Sequence, residues 1–201
     1  MSEHRIPLFP LNTVLFPGGV LPLRIFEPRY LDMISACLRN STPFGVALIR
    51  EGTETGKAAT TYDLGTLVNI DYFHTLSDGV LGITARGQQR FRIKRRSVQP
   101  NQLVITHVET IENEPGADLP AQFRPLAEML GGIMQRLGQP YLKLKPCFDD
   151  ASWVSARLTE LLPIGLDQKQ YAGRRRRTAV RTGYVRAGVP VRAGKGRHHR
   201  P

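Results

Sequence analysis

Short apolar runs that alternate with polar residues dominate the first 114 positions, and this pattern predicts β-strands. After a first helix, strand-like segments occupy residues 44–50, 68–72, 81–83, 90–94 and 102–112. Ser77-Asp78-Gly79 predicts the turn of a hairpin between the second and third of these segments. With the apolar residues that precede the helix, they predict about six strands in antiparallel succession, arranged as a small distorted antiparallel β-barrel.

Prolines interrupt the apolar segments near the start of the chain. Because proline has no amide hydrogen to donate, these prolines must lie at strand ends, at bulges or on sheet edges. They are Pro7, Pro10, Pro17 and Pro22. Pro28 instead fits the first turn of a helix, where a missing donor does no harm. Leu31, Ile34 and Leu38 follow at helical spacing and predict the helix face that packs against the strands.

Beyond Glu114-Pro115-Gly116 the apolar residues recur at helical spacing instead. One helix is predicted between Phe123 and Leu137, and another between residues 151 and 162. The second helix has three candidate N-cap residues, Asp149, Asp150 and Ser152. The sequence therefore predicts a helical region that follows the strands, and the chain as a whole is predicted to be α+β.

Charge divides the chain into a body and a tail. Of 28 basic residues, ten lie in residues 171–201, whereas none of the 17 acidic residues does. The tail includes four consecutive arginines at 174–177, and it holds too little apolar side chain to offset its ordering entropy. The predicted organisation is a β-rich subdomain with one inserted helix at 1–114, a helical subdomain at 115–170 and a disordered Arg-rich tail at 171–201.

No pattern in the sequence indicates catalysis or cofactor binding. Residues 52–58 come nearest to a phosphate-binding loop, but three residues instead of four separate the glycines, and Ala58 follows the lysine. His4, His74 and His107 show no metal-ligand spacing. We therefore expect no catalytic residue, no metal and no other cofactor.

Cysteine usage and the N-terminal residues bear on the compartment. Cys37 and Cys147 are the only cysteines and have no CxxC spacing, which favours a reducing environment. The charged residues 1–5 precede proline-broken strands, a pattern typical of neither a signal peptide nor a membrane span. We expect a cytoplasmic protein that does not contact membranes.

Six basic residues fall within an eleven-residue stretch of predicted strand. They are Arg86, Arg90, Arg92, Lys94, Arg95 and Arg96. One interpretation is an RNA-binding surface, but such surfaces interleave exposed aromatic side chains, and Phe91 alternates with the cations and so points to the core. The other is a solvated outer face whose cations pair with Glu109, Glu112 and Glu114 on the following strand, and we favour it.

Ile6-Pro7-Leu8-Phe9-Pro10-Leu11, Val14-Leu15-Phe16-Pro17-Gly18 and the stretch from Leu21 to Tyr30 form an ordered series. Together with Phe44–Ile49, Gly65–Ile70 and Gly87–Phe91, this series resembles the N-terminal domain of the Lon protease family, which also occurs as a stand-alone bacterial protein and in cereblon-like proteins. The resemblance covers about residues 5–170. It implies a PUA-like barrel followed by a helical bundle, and it implies substrate recognition without the ATPase and protease modules of Lon.

The chain departs from the family pattern at Lys169-Gln170, where the resemblance implies a further amphipathic helix. Residues 171–201 are either a native basic arm that binds nucleic acid non-specifically or the product of a frameshift near codon 170. We favour the frameshift, because the change in composition is abrupt and falls within the expected helical bundle.

Two hypotheses for function follow. The first is a non-enzymatic polypeptide-binding module, in which Leu8, Phe9, Leu15 and Phe16 line an apolar groove on proline-limited edges and receive an unfolded or extended polypeptide. The signature Phe26-Glu27-Pro28-Arg29-Tyr30 adds Phe26, Glu27, Arg29 and Tyr30 as contact candidates, although Glu27 and Arg29 also suit structural roles at a helix start. A protease or ATPase partner is then expected. The alternative is an RNA-binding protein that uses the basic strands or the tail.

Overall fold

Six strands form one mixed sheet in the computed structural model, which describes residues 3–113 and 115–174. They are β1 (Glu3–Leu11), β2 (Val20–Ile25), β3 (Phe44–Glu51), β4 (Thr60–Thr75), β5 (Leu81–Val98) and β6 (Val104–Ile111). The sheet order is β2-β5-β4-β3-β1-β6, and β5 also pairs with β6. The additional pairing closes five strands into a ring and leaves β2 as the outer strand beside β5.

The prediction that all strands run antiparallel is wrong for one pair. β1 and β3 are parallel, with Leu8 opposite Gly45 and Leu11 opposite Leu48. A parallel pair needs a crossover connection, and here the crossover consists of β2 and the first helix. The other pairs are antiparallel, and the predicted hairpin joins β4 to β5 through a turn in which Gly79 has a φ of 82°.

Within the described residues, four α-helices accompany the sheet: α1 (Pro28–Asn40), α2 (Arg124–Leu137), α3 (Ala151–Leu161) and α4 (Leu166–Arg174). Asp150, one of the three predicted N-cap candidates, is the N-cap of α3. Its Oδ1 accepts a hydrogen bond from the Ser152 amide at 2.8 Å. α4 extends four residues into the predicted tail. Residues 175–201, and with them most of the segment predicted to be disordered or frameshifted, lie outside the described residues.

The buried face of α1 differs from the predicted one. Tyr30, Met33, Ile34 and Cys37 face the sheet, whereas Leu31 and Leu38 are 37% and 38% exposed. Positions 30, 33, 34 and 37 form one helical stripe, and Leu31 lies at its margin. The prediction was therefore correct for Ile34 and wrong for Leu31 and Leu38.

In the part of the chain that the structure describes, three apolar clusters hold these elements together. One lies between α1 and the strands, and a second fills the ring around Phe91, which is fully buried. The aromatic ring fits because glycine faces it: a Cβ at Gly45 would lie 2.8 Å from Phe91 Cζ. The third cluster joins Val20 of β2 to Leu130 of α2 and Leu158 of α3, so the helices pack on the start of β2.

Among the residues described, no helix is both long enough and apolar enough to cross a membrane.

Candidate functional site

Three exposed aromatic side chains lie near the hairpin end of the sheet. Phe26, Tyr72 and Phe73 are 59%, 53% and 57% exposed, and we call them the aromatic tip. Phe26 follows the last residue of β2, and Phe73 lies on β4, separated from β2 only by β5. Strands β2 and β4 are therefore about 10 Å apart. Exposed aromatic side chains are typical of surfaces that contact other proteins.

The two faces of the hairpin differ at the aromatic tip. Tyr72 stacks on His74 with ring centroids 5.4 Å apart, and Lys143 Nζ lies 5.0 Å from the Tyr72 ring centroid. Phe73 alternates with them and pairs with buried Ile83 on the face toward α1. The aromatic tip therefore presents the apolar Phe73 ring on one face of the hairpin. On the other face it presents the Tyr72 ring beside the Lys143 ammonium group.

β2 offers a free backbone edge next to the tip, but proline limits it. The Gly87 amide donates to the Gly19 carbonyl at 2.9 Å, which fixes the alternation of the β2–β5 pair. In an antiparallel pair, the N–H and C=O groups of successive residues point alternately toward and away from the partner strand. Those of Val20, Pro22 and Arg24 therefore point away from β5. Pro22 thus removes the middle of three outward amide donors, a common protection of sheet edges.

The signature at the start of α1 forms a structural cluster around Arg29. The buried Arg29 guanidinium lies 2.9 Å from the Glu27 carboxylate, donates to the Gln102 carbonyl at 3.0 Å and stands 4.6 Å from the Tyr30 ring centroid. Burial also raises the pKa of Tyr30 to about 12. The pair with Glu27 gives Arg29 a structural role at the start of the helix. Glu27, however, makes no side-chain bond to the helix amides and instead accepts one from the Gly56 amide at 3.4 Å.

Four of the predicted contact residues lie in the core and not in an open groove. Leu8, Phe9, Leu15 and Phe16 are each at most 8% exposed, and Phe9 stacks on Tyr30 with ring centroids 4.0 Å apart. The prolines of β1 were expected to prevent full pairing, yet β1 pairs with β3 on one side and β6 on the other. Of the predicted contact residues, Phe26 is the most exposed and the one that belongs to the aromatic tip.

Leu15 and Phe16 line a small crevice that helix α4 covers. The crevice lies between the segment before β2, strands β3 and β4, and α4, and Leu48 and Leu64 add apolar walls. Gln170 Nε2 of α4 donates to the Leu64 carbonyl at 3.0 Å, and Arg90 Nη1 donates to the Gly173 carbonyl. We call this feature the α4 crevice.

Among the described residues, three of the six basic strand side chains pair with a carboxylate. Arg86 pairs with Asp71, Lys94 Nζ lies 2.6 Å from Glu109, and Arg96 lies 2.6 Å from Asp63. The predicted pairing with Glu109 is confirmed. Arg92 and Arg95 are exposed on the outer face, whereas Arg90 is 9% exposed, so the prediction that it is solvated is wrong.

Arg90 is buried because α4 covers the outer face of β5 at this position. β5 is buried at both Arg90 and Phe91, so the alternation expected for a half-solvated strand is interrupted there. The Arg90 guanidinium meets the last turn of α4, where unpaired helix carbonyls favour a cation.

A buried ion pair connects α3 to the segment before β2. Arg157 Nε lies 2.9 Å from the Glu160 carboxylate, which also accepts from the Phe16 amide at 2.6 Å. Arg157 Nη2 donates to the Pro17 carbonyl at 3.1 Å. Burial raises the pKa of Glu160 to about 7, although Arg157 acts in the opposite direction. Gly19 is required here, since a Cβ would lie 2.5 Å from the Glu160 carboxylate.

Sequence reasoning missed Tyr72, Phe73 and the Arg157–Glu160 pair, although signals for them exist. Residues 71–74 read Asp-Tyr-Phe-His, and two consecutive aromatic residues on one strand cannot both face the same side. Arg157 stands beside Val154 and Leu158 on the apolar stripe of its helix, where an unpaired cation would be costly. Among the described residues, no group of three or more His, Cys, Asp or Glu side chains is placed to hold a metal ion.

Comparison with known proteins extends these observations. The family described as the ATP-dependent protease La (LON) substrate-binding domain matches residues 5–171. The chain is 27% identical over 143 residues to Lon protease 2 of Myxococcus xanthus, which covers 70% of this chain and 17% of that protein. It is also 27% identical over 157 residues to the Lon protease of Methylocella silvestris, of which it covers 19%. The chain thus spans about a fifth of the length of these relatives.

Solved structures show the same fold. The crystal structure of a Lon N-terminal domain protein from Xanthomonas campestris superposes with a TM-score of 0.69 at 35% identity, over 86% of this chain and 90% of that one. The N-terminal domain of a Mycobacterium avium complex Lon protease superposes with a TM-score of 0.55 at 16% identity, over 85% and 89% of the two chains. The chain therefore belongs to the Lon substrate-binding domain family.

Proposed function

We propose that this chain is a non-enzymatic module that binds unfolded or extended polypeptides through the aromatic tip. The observation that carries the proposal is the exposure of Phe26, Tyr72 and Phe73 at one end of the sheet. The matched family region is a substrate-binding domain and not the catalytic part of Lon, which supports binding without catalysis. A protease or ATPase would act on the captured chain as a separate partner.

The mode of binding follows from the chemistry of the tip. Addition of a polypeptide strand to β2 would be weakened by Pro22, which removes one of three outward donors on that edge. Aromatic side chains instead provide large apolar contact area at low entropic cost and tolerate many partner sequences. We therefore infer that the tip selects apolar and aromatic side chains that a folded protein would keep buried.

We place the module in the cytoplasm. Cys147 is a free thiol on the surface, and Cys37 is free and buried, as suits a reducing compartment. An exposed free thiol in an oxidising compartment would be open to intermolecular pairing.

Replacing both Phe26 and Phe73 by serine is expected to weaken polypeptide binding about tenfold or more, because two exposed rings are lost while the core is unchanged. The measurement is fluorescence anisotropy with a labelled, reduced and carboxymethylated test protein that cannot refold. Val98→Ser removes a similarly exposed apolar side chain from the far end of β5 and serves as the matched control. Equal losses in both variants would contradict the proposal.

Nucleic-acid binding, if present in the full chain, is expected to reside in the tail. Arginines 175–177 lie outside the described residues, and glutamine is substituted for all three. The plot of the logarithm of the binding constant against the logarithm of the salt concentration should then become shallower, with the magnitude of its slope reduced by about 2 to 3. The same change at Arg92, Arg95 and Arg96 is the control with equal loss of charge, and it should have the smaller effect because acidic neighbours already screen part of this surface. If the control reduced the salt dependence more than the tail variant did, the result would support the alternative hypothesis that the basic strands bind RNA.

A further inference from the structure

Helix α4 covers the apolar walls of the crevice with polar and small residues. Its buried positions are Gln170 and Gly173, which are polar and small, whereas its larger apolar side chains, Leu166 and Tyr171, are 38% and 50% exposed. The surface beneath it is formed by Leu15, Phe16, Leu48 and Leu64. A helix that was part of the core would be expected to place apolar side chains into such a surface.

Polar contacts hold α4 in place. Lys169 Nζ donates to the Glu160 carbonyl at 2.7 Å, Gln170 Nε2 donates to the Leu64 carbonyl at 3.0 Å, and Arg90 donates to the Gly173 carbonyl. A nine-residue helix is too short to be stable alone in water, so α4 depends on these few contacts. Loss of one of them is expected to open α4 locally while the ring of strands stays folded.

We propose that the α4 crevice is a second polypeptide-binding site and that α4 is its built-in occupant, displaced when a client polypeptide binds. The inference rests on the proposed function, because it assumes that the module binds unfolded chains. The ligand is a short extended segment that places one apolar side chain between Leu15, Phe16 and Leu64. The Arg90 guanidinium then binds a peptide carbonyl of the client in place of the Gly173 carbonyl.

The chemistry of α4 in the crevice supports this choice of ligand. The buried Arg90 already binds a main-chain carbonyl, and the Leu64 carbonyl already accepts a donor, so both polar groups suit a peptide. The neighbouring walls are apolar and are covered by the small Gly173 rather than by a matching side chain. A client with a leucine or phenylalanine at this point would place an apolar side chain against these walls, where α4 has only Gln170 and Gly173.

The test compares two substitutions of the same residue in the full-length chain. Gln170→Ala and Gln170→Leu both lose the hydrogen bond to the Leu64 carbonyl, but only leucine gives α4 an apolar side chain for the crevice. We expect Gln170→Ala to raise amide exchange at residues 169–173 about three- to tenfold and to bind the carboxymethylated test protein about three- to tenfold more tightly. Gln170→Leu is expected to bind no more tightly than the wild type.

Two further variants keep the test decisive. Gln168→Ala removes the same side chain from the exposed face of α4 and should change neither exchange nor affinity. Lys169→Ala removes a different contact of α4 and should reproduce the gain, which covers the case in which Gln170→Ala fails to fold. Faster exchange of α4 without tighter binding would overturn the inference and leave the aromatic tip as the binding site.

The oligomeric state and the wild-type control distinguish the remaining outcomes. Concentration-dependent dimers of Gln170→Ala, seen by light scattering, would mean that the crevice takes α4 from a second copy, and this too would overturn the inference. If neither the wild type nor any variant binds the test protein, the proposed function itself fails. A gain in Gln170→Ala that persists when Phe26 and Phe73 are serine would show that the crevice binds independently of the aromatic tip.

Discussion

Ile34→Asp is expected to abolish cooperative folding of the body. Ile34 is fully buried in the cluster between α1 and the strands, together with Phe9 and Phe44. An aspartate there would lose the apolar contacts and would bury a carboxyl group without a partner, at a cost of more than about 4 kcal/mol. Because a domain of this size is stable by only about 5–15 kcal/mol, most or all of its stability would be lost. Thermal and urea denaturation followed by circular dichroism measure the effect.

Leu31→Asp is the matched control on the same helix. Leu31 is 37% exposed and lies at the margin of the buried stripe, so its carboxylate can reach water. We expect a loss of about 1 kcal/mol or less, with the cooperative transition retained. If the two variants were equally unstable, the orientation of α1 described above would be incorrect.

The contrast between Ile34 and Leu31 shows what the sequence could predict about α1. The helix itself followed from Pro28 and from the apolar spacing. Its orientation did not, because Tyr30, Met33, Ile34 and Cys37 form one apolar stripe and Leu31, Ile34 and Leu38 form another that overlaps it. The arrangement of the strands selects between the two, and that arrangement depends on contacts distant in sequence.

The sheet was predictable to a similar extent. Alternation located the strands and the hairpin turn, since both are local properties of the chain. The parallel pairing of β1 with β3 and the closure of β5 onto β6 were not predicted, because they join segments far apart in sequence. The resemblance to the Lon family supplied the general architecture but not the strand register.

The candidate site was the least predictable part. Leu8, Phe9, Leu15 and Phe16 are apolar and lie near prolines, and the sequence does not distinguish a proline-limited edge from a strand paired on both sides. Exposure of an apolar side chain is a property of the assembled fold. The aromatic tip therefore became visible only when the hairpin and β2 were placed side by side.

The buried ion pair on α3 carries the second large expected effect. Arg157→Met is predicted to destabilise the folded state by about 3–5 kcal/mol, because it leaves the Glu160 carboxylate buried without its cation. The backbone contact to Pro17 is lost as well, so the segment before β2 should loosen together with α3. Urea denaturation of the full chain measures the change in the free energy of unfolding.

The effect of Arg157→Met should grow with pH. Without the arginine, the pKa of Glu160 in the folded state rises further above its unfolded value, because the largest of the influences that lower it is removed. A raised carboxyl pKa means that the folded state retains a proton which the unfolded state releases, so stability falls as pH rises between the two pKa values. We therefore expect a larger loss at pH 8 than at pH 5.

A double-mutant cycle tests whether the two side chains act as a pair. Glu160→Met alone is also expected to be costly, since it leaves the guanidinium buried, but the double variant Arg157→Met/Glu160→Met should cost less than the sum of the single changes by at least about 2 kcal/mol. Lys94→Met and Glu109→Met form the comparison cycle at an exposed pair, where a coupling below about 1 kcal/mol is expected. Additive effects at Arg157 and Glu160 would contradict the pairing. A strong coupling there, with none at the exposed pair, would show that the two side chains act as a buried ion pair on α3.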